Sequence, residues 1–277
     1  MDSPSGTEPH STVAERSSVS SSMPWVRAAE IQIRDGGSYP RFRRLKAVCD
    51  VVETVSPVDG RSYAKKTQAW DPHLLDDSTV RDIDSWGDPL RWPAALLGTR
   101  RPFSPTTLRY LATAVWLKQN GFVHQGGRIV EVGVGFGGLA AMNATVSRAK
   151  TTFVDLPQVE RLARLMMTQV GLPDFCDSDL DSADGDYCFI SNYAFTELSA
   201  AIQDVYLDKW IRRAARGVIV SNAGIFSKSI GGRSDTDLVG LLETVGIKAQ
   251  IDSSSDLFTP ADRLCRVTLI HWNQSFR

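Results

Sequence analysis

The sequence predicts an α/β fold: a mostly parallel sheet of seven strands, helices on both of its faces, an antiparallel last strand and an N-terminal cap of helices and loops. Two observations predict the sheet. From Ser104 onward, short apolar runs alternate with stretches whose apolar residues recur at helical spacing. Strands that alternate with helices build parallel sheets covered on both sides. Between Gly133 and Gly138, four glycines join one such strand to one such helix, in a loop free to turn tightly. A third observation sets the ending. Asp252 to Cys265 separates the last two strands and holds no obvious crossover helix, whereas parallel neighbours need a crossover of about a dozen residues. The final strand is therefore expected to be antiparallel to its neighbour.

Three regions follow in chain order. Residues 1–23 read as a disordered tail: eight of the first 22 residues are Ser, and such a segment cannot bury enough apolar surface to order itself. It has no apolar run of the kind a signal peptide needs, and Asp2, Glu8 and Glu15 argue against an organelle transit peptide. Residues 24–103 read as a cap of helices and loops. Trp25 to Ile33 is expected to be a short helix. Phe42, Leu45, Val48, Val51 and Val52 have the spacing of a helix face within Arg41 to Val55. Trp70 to Trp92 reads as loop, with Asp71-Pro72 and Gly87-Asp88-Pro89 as turn signals. Residues 104–277 form the sheet domain. Ser104 caps a helix with Pro105 at its first position, and Leu108, Leu111, Ala112, Val115 and Trp116 share one face. The strands expected after it are RIVEVG, TTFVDL, DYCFIS, GVIVSN, IKAQI and RVTLIHW. Helices are expected after the glycine loop, from Pro157, from Glu197 to Ala214, and after Ser234. A third strand belongs between Gly171 and Gly185, where the residues show little strand character; it is expected to be very short or interrupted by Asp.

The chain has 277 residues, 42% hydrophobic and 23% charged, enough for one sizeable core. Its formal net charge of −1 gives no basic field toward nucleic acid. Cys49, Cys176, Cys188 and Cys265 are scattered and read as reduced packing thiols. With no run long enough to span a membrane, the expected compartment is the cytoplasm. The four histidines stand far apart, so no metal site is expected.

The glycine loop fits two cofactors by spacing. Gly133, Gly135 and Gly138 make the G-x-G-x-x-G of dinucleotide enzymes. Glu131, Gly133, Gly135 and Gly137 make the E-x-G-x-G-x-G of S-adenosylmethionine (SAM) enzymes. Glu131 tips the choice to SAM, because an acid at the strand end suits a methionine ammonium and is awkward beside a pyrophosphate. Asp155 ends the second strand, where a carboxylate can accept from both ribose hydroxyls of either cofactor. Ser191, Asn192 and Tyr193 end the fourth recognisable strand, so they should face the same crevice, with Glu197 just beyond. The antiparallel ending likewise favours a class I methyltransferase sheet over a dinucleotide dehydrogenase sheet.

These residues together resemble the sugar O-methyltransferase family typified by the nanchangmycin-pathway enzyme. The resemblance rests on GDP at Gly87 to Pro89, SPTTLRYL at Ser104 to Leu111, VEVGVGFGGLA at Val130 to Ala140, VDLPQV at Val154 to Val159 and ISNYAFTEL at Ile190 to Leu198. It covers roughly Asp82 to the C-terminus. The short, acidic third-strand region and the Ser-rich N-terminus depart from the family. The resemblance implies a Rossmann-like class I fold, SAM as cofactor and a sugar or glycoside hydroxyl as acceptor, with homo-oligomerisation left open. The cofactor residues expected are Glu131, Gly133, Gly135, Gly137, Asp155, Leu156 and Ser191.

A sugar hydroxyl is a weak nucleophile and needs a base or a metal that lowers its pKa; no metal cluster is visible, so a base is expected. Glu197 is the first candidate, with Tyr193 and Asn192 orienting the acceptor. His73 and Asp71 in the cap are rivals. Trp70, Trp86 and Trp92 either stack on the acceptor or, as such residues more often do, anchor a loop to the core. Arg109 and Tyr110 either line the cofactor pocket or face outward. A non-sugar acceptor, an NAD-linked oxidoreductase and a non-catalytic SAM-binding protein are the alternative readings.

Overall fold

In the computed structural model, which describes residues 23–177 and 186–274, the described strands form one sheet. They are β1 (Arg128–Val132), β2 (Lys150–Val154), β3 (Cys176–Asp177), β4 (Tyr187–Asn192), β5 (Arg216–Ser221), β6 (Gln250–Asp252) and β7 (Thr268–Asn273). The order is β3-β2-β1-β4-β5-β7-β6. β1 pairs in parallel with β2 and β4, β2 with β3, and β4 with β5. β7 runs antiparallel to both β5 and β6. This is the mostly parallel seven-stranded sheet with an antiparallel last strand that the sequence predicts, and the connection between its last two strands holds only a five-residue helix, Pro260–Leu264. The expected third strand is present as the two residues of β3; the rest of that weak segment and the Ser-rich tail lie outside the described residues.

Twelve described α-helices surround the sheet. The cap holds α1 (Met23–Arg34), α2 (Lys46–Cys49), α3 (Pro57–Trp70), α4 (Ser78–Ser85) and α5 (Ala94–Leu97). The sheet domain holds α6 (Pro105–Gln119), α7 (Gly138–Ser147), α8 (Pro157–Gln169), α9 (Ala200–Lys209), α10 (Ala223–Ile230), α11 (Asp235–Thr244) and α12 (Pro260–Leu264). Two cores result, one on each face. Leu111, Val115, Met142, Leu162 and Met166 pack on one face with Phe153 and Ile190. Ile202, Leu207, Leu238 and Leu242 pack on the other with Val130, Phe189 and Trp272. Trp25, Phe42, Val80 and Ile83 of the cap belong to the first core, so the cap shares its apolar interior with the sheet domain.

Four sequence expectations are corrected here. Arg41 to Val55 is not one helix. Arg41 has φ +56° and Leu45 is extended, so the segment splits into a 3-10 turn (Phe42–Arg44) and the single turn of α2. Trp70 to Trp92 is not all loop: a 3-10 turn (Pro72–Asp76) and α4 (Ser78–Ser85) occupy most of it, and Asp77 caps α4 by accepting from the N–H groups of Thr79 and Val80. The helix expected from Glu197 begins later, because Ala194–Glu197 forms a 3-10 turn and Leu198 is extended. Finally, α3 and α10 were not anticipated. Ser56 and Pro57 open α3 with the same cap-and-proline signal as Ser104 and Pro105, but the weak apolar periodicity of PVDGRSYAKKTQAW conceals the helix.

Close approach of β5 to its neighbour makes Gly217 a sensitive position. A Cβ there would lie 2.0 Å from Cζ2 of Trp272, which is 1% exposed and fixed in the second core. Gly217→Ala is expected to destabilise the fold by about 1–3 kcal/mol through overpacking. Urea melts of the two proteins measure it.

Candidate active site

A cavity of about 620 Å³ opens at the carboxyl ends of β1, β2 and β4, within the range of small-molecule sites. Its floor is the glycine loop. Gly133 has φ +78°, and a Cβ on it would lie 2.0 Å from Cβ of Ala194, just past β4. Only a residue without a side chain lets the two loops approach so closely. Glu131, Gly133, Gly135, Asp155, Leu156, Asn192, Tyr193 and Glu197 all line this cavity. Two of the expected residues do not. Gly137 caps α7 and abuts Ala163 and Met166 instead. Ser191 is buried behind the wall, where its Oγ accepts from the Phe195 N–H at 2.8 Å and fixes the turn after β4.

Glu131 is 2% exposed, and its Oε2 is buried with no hydrogen-bond partner. Burial pushes its pKa up to about 8, and the neighbouring charge of Asp155 adds to the rise. Asp155 is pushed up to about 7, again by burial, although the N–H groups of Leu156, Gly135 and Val134 oppose the shift. An orphaned carboxylate oxygen this deep calls for a cationic donor that the described residues do not supply. Both acids hold their protons more tightly in the fold than in the unfolded chain. Their contribution to stability is full below the ordinary carboxylate range and is lost as pH rises through about 7 to 8. Ligand-free protein is therefore expected to melt at progressively lower temperature between roughly pH 4 and pH 8, and Glu131→Gln to flatten that slope. A melting temperature that climbs through neutrality in the wild type and is unchanged in the variant would contradict this.

Across the cavity, Glu197 Oε1 accepts from Asn222 Nδ2 at 2.7 Å. Asn222 is itself fixed by the Thr196 hydroxyl, which donates to its Oδ1 at 2.7 Å. Burial raises the Glu197 pKa and the Asn222 hydrogen bond opposes that. Tyr193 occupies φ +75°, ψ −41°, a strained conformation for a side-chain-bearing residue. Burial pushes its phenol up to about 12, so it acts as a hydrogen-bond donor at neutral pH.

The cap candidates lie elsewhere. His73 is exposed and donates its N–H to Asp71 Oδ1 at 3.2 Å, and neither residue is on the cavity wall. Trp70, Trp86 and Trp92 are also off the wall. Trp86 is an anchor: it stacks on Phe136 at 5.7 Å and donates Nε1–H to Gln169 at 2.6 Å. Trp25 of α1 lines the cavity in their place. Sequence reasoning missed Tyr63, Asn222 and Asp262, which the fold delivers from α3, the end of β5 and α12. Only Asp262 had a local signal, as the third residue after the Thr259 cap. Among the described residues no group of His, Cys, Asp and Glu is gathered as a metal site, and no helix is long and apolar enough to cross a membrane.

No family model matches the chain, and no curated protein matches it. Solved structures do. A SAM-dependent methyltransferase from Aquifex aeolicus is 16% identical over 56% of this chain and 86% of its own, with a TM-score of 0.41. Phosphoethanolamine N-methyltransferase 2 from Haemonchus contortus, in complex with S-adenosyl-L-methionine, is 12% identical over 58% of this chain, with a TM-score of 0.43. The match spans about half of that enzyme, 51% of its chain. A geranyl diphosphate methyltransferase in complex with SAM is 16% identical over 74% of this chain and 95% of its own, with a TM-score of 0.44. At these identities and TM-scores none of the likenesses bears on the chemistry of the site.

Proposed function

We propose that this chain is a SAM-dependent O-methyltransferase that acts on a hydroxyl of a sugar or glycosylated small molecule. The observation that supports the cofactor best is the buried, unpartnered Oε2 of Glu131 beside the glycine loop, with Asp155 on the next strand. That pair fits a ligand that presents an ammonium to one acid and ribose hydroxyls to the other. It fits a dinucleotide poorly, because Glu131 would face a pyrophosphate. Gly133, Gly135 and Leu156 complete the cofactor wall.

When bound, SAM supplies an electrophilic methyl carbon on a sulfonium. The chain has to hold the acceptor oxygen in line with that carbon, take its proton and keep water out. Glu197 takes the proton: Asn222 holds Oε1, and Oε2 has no partner among the described residues. Tyr193 and Asn192 line the acceptor side and orient the hydroxyl. Trp25, Val52 and Val55 of the cap close the cavity with apolar surface. Ile225, an exposed apolar side chain, lies on the wall. It favours an acceptor with an apolar portion at the cavity mouth, as a glycosylated aglycone has.

The test is transfer of radiolabelled methyl from SAM to a panel of glycosides, their aglycones and free sugars, with product hydrolysis to locate the label. Label on the sugar ring is expected. Label on the aglycone alone would move the reading to a non-sugar O-methyltransferase, and no transfer to any hydroxyl would overturn it.

A further inference from the structure

Arg109 is a partly buried cation for which the described residues provide no anion. It lies in the second turn of α6, and its Nε is buried with no hydrogen-bond partner. Its guanidinium lies 5.4 Å from the ring centre of Tyr110 and 5.8 Å from that of Tyr193. No carboxylate among the described residues lies within ion-pair distance of it, although the wall it lines holds Asp50, Asp59, Glu131, Asp155, Glu197 and Asp262. Among the described residues it is the one basic side chain on that wall. A buried N–H of a cation left without an acceptor is costly unless a ligand supplies one. Its fork of donors suits a planar carboxylate in particular.

Arg109 and Glu131 therefore make a pair of opposite groups, each with an unpartnered buried atom, on the wall of the one cavity whose floor is the glycine loop. Glu131 is two residues before Gly133. Arg109 precedes Tyr110, whose ring is 5.9 Å from that of Phe136 and would lie 2.5 Å from a Cβ on Gly138. Opposite charges set across one loop complement a zwitterion. We infer that Arg109 binds the α-carboxylate of the cofactor's amino-acid end while Glu131 binds its ammonium, with Tyr63, Tyr110 and Tyr193 walling the guanidinium in. This inference rests on the proposed cofactor. It has a consequence for the acceptor. With Arg109 committed to the cofactor, the acceptor meets Asp59, Glu197 and Asp262 and no free cation of the wall, so neutral or amino-bearing acceptors are favoured over acidic ones.

Calorimetric titration of the full chain with S-adenosylhomocysteine and with 5′-methylthioadenosine tests it, because the second ligand keeps the nucleoside and sulfur but lacks the amino-acid end. Arg109→Met is expected to weaken S-adenosylhomocysteine binding at least about 30-fold and to leave 5′-methylthioadenosine binding unchanged. Arg109→Lys, which keeps the charge without the fork, should fall between. An equal loss for both ligands, or no loss for either, overturns the inference. Wild-type protein that binds neither ligand would sink the cofactor reading itself, which is a separate failure. Thermal melts of both variants identify a loss that comes from misfolding.

Discussion

Replacing Glu197 by Gln is expected to lower the methyl-transfer rate by about 100-fold or more while SAM binding stays within about two-fold of the wild type. Gln keeps the volume and can still meet Asn222, but it cannot accept a proton from the acceptor. The environment makes the carboxylate a stronger base than usual: burial raises its pKa, and the Asn222 donor only partly offsets this. Because the acid form is inactive as a base, kcat/KM should fall on the acid side through a pKa above the ordinary Glu value of 4.5. That limb should vanish in Glu197→Gln. Rates that match the wild type in the variant would remove Glu197 from the chemistry and leave Tyr193 and Asn192 without a base to serve.

The second large effect is on stability. Arg43 has no exposed side-chain surface, and its Nε donates to Glu53 Oε1 at 2.5 Å. Nη1 donates to the carbonyls of Ile83, Asp84 and Trp86 at 3.3–3.4 Å, and Nη2 donates to Ser104 Oγ and Thr107 Oγ1 at 3.2 Å. Its guanidinium also sits 4.5 Å from the centre of the Phe136 ring, inside the glycine loop. One side chain thus ties the cap to the start of α6 and to the floor of the cavity. Arg43→Met leaves three carbonyls and Glu53 Oε1 without the Arg43 donor, with only the Ser104 hydroxyl still donating to Glu53, at Oε2. It is expected to cost about 3–5 kcal/mol, the usual range for breaking a buried ion pair. Removing both charges, in Arg43→Met with Glu53→Leu, should recover part of the loss because no buried charge is then stranded. Urea unfolding of the single and double variants gives both numbers. A single-variant loss below about 1 kcal/mol would show that water replaces the network.

What could be read beforehand follows from how local each signal is. α6 was legible because Ser104, Pro105 and the Leu108–Trp116 face are consecutive statements of one helix. β1, its glycine loop and Asp155 were legible because a strand, a turn and a helix have to follow one another there. The antiparallel β7 followed from a connection with no obvious crossover helix. Arg43 reads in the sequence as one of several basic residues in RFRR, and only tertiary burial gives it five partners from α4, α6 and the turns between. Arg109 was ambiguous for a related reason. Helical spacing places it away from the Leu108–Leu111 face, and only α3 and the turn after β4 close over that side, bringing Tyr63 and Tyr193. Gly137 and Ser191 show the opposite case. They stand in motifs whose other residues line the cavity, but one abuts α8 and the other fixes the turn after β4, off the cavity wall. Motif membership places a residue near a site; which way its neighbours leave it facing is a property of the packing.

The central claim is that Glu131, Asp155 and the glycine loop hold SAM and not a dinucleotide. Calorimetric titration of the purified chain with SAM, S-adenosylhomocysteine and NAD tests it directly. The account predicts binding of the first two in roughly the micromolar range and no heat from NAD. Binding of NAD with no response to either adenosyl compound would contradict it.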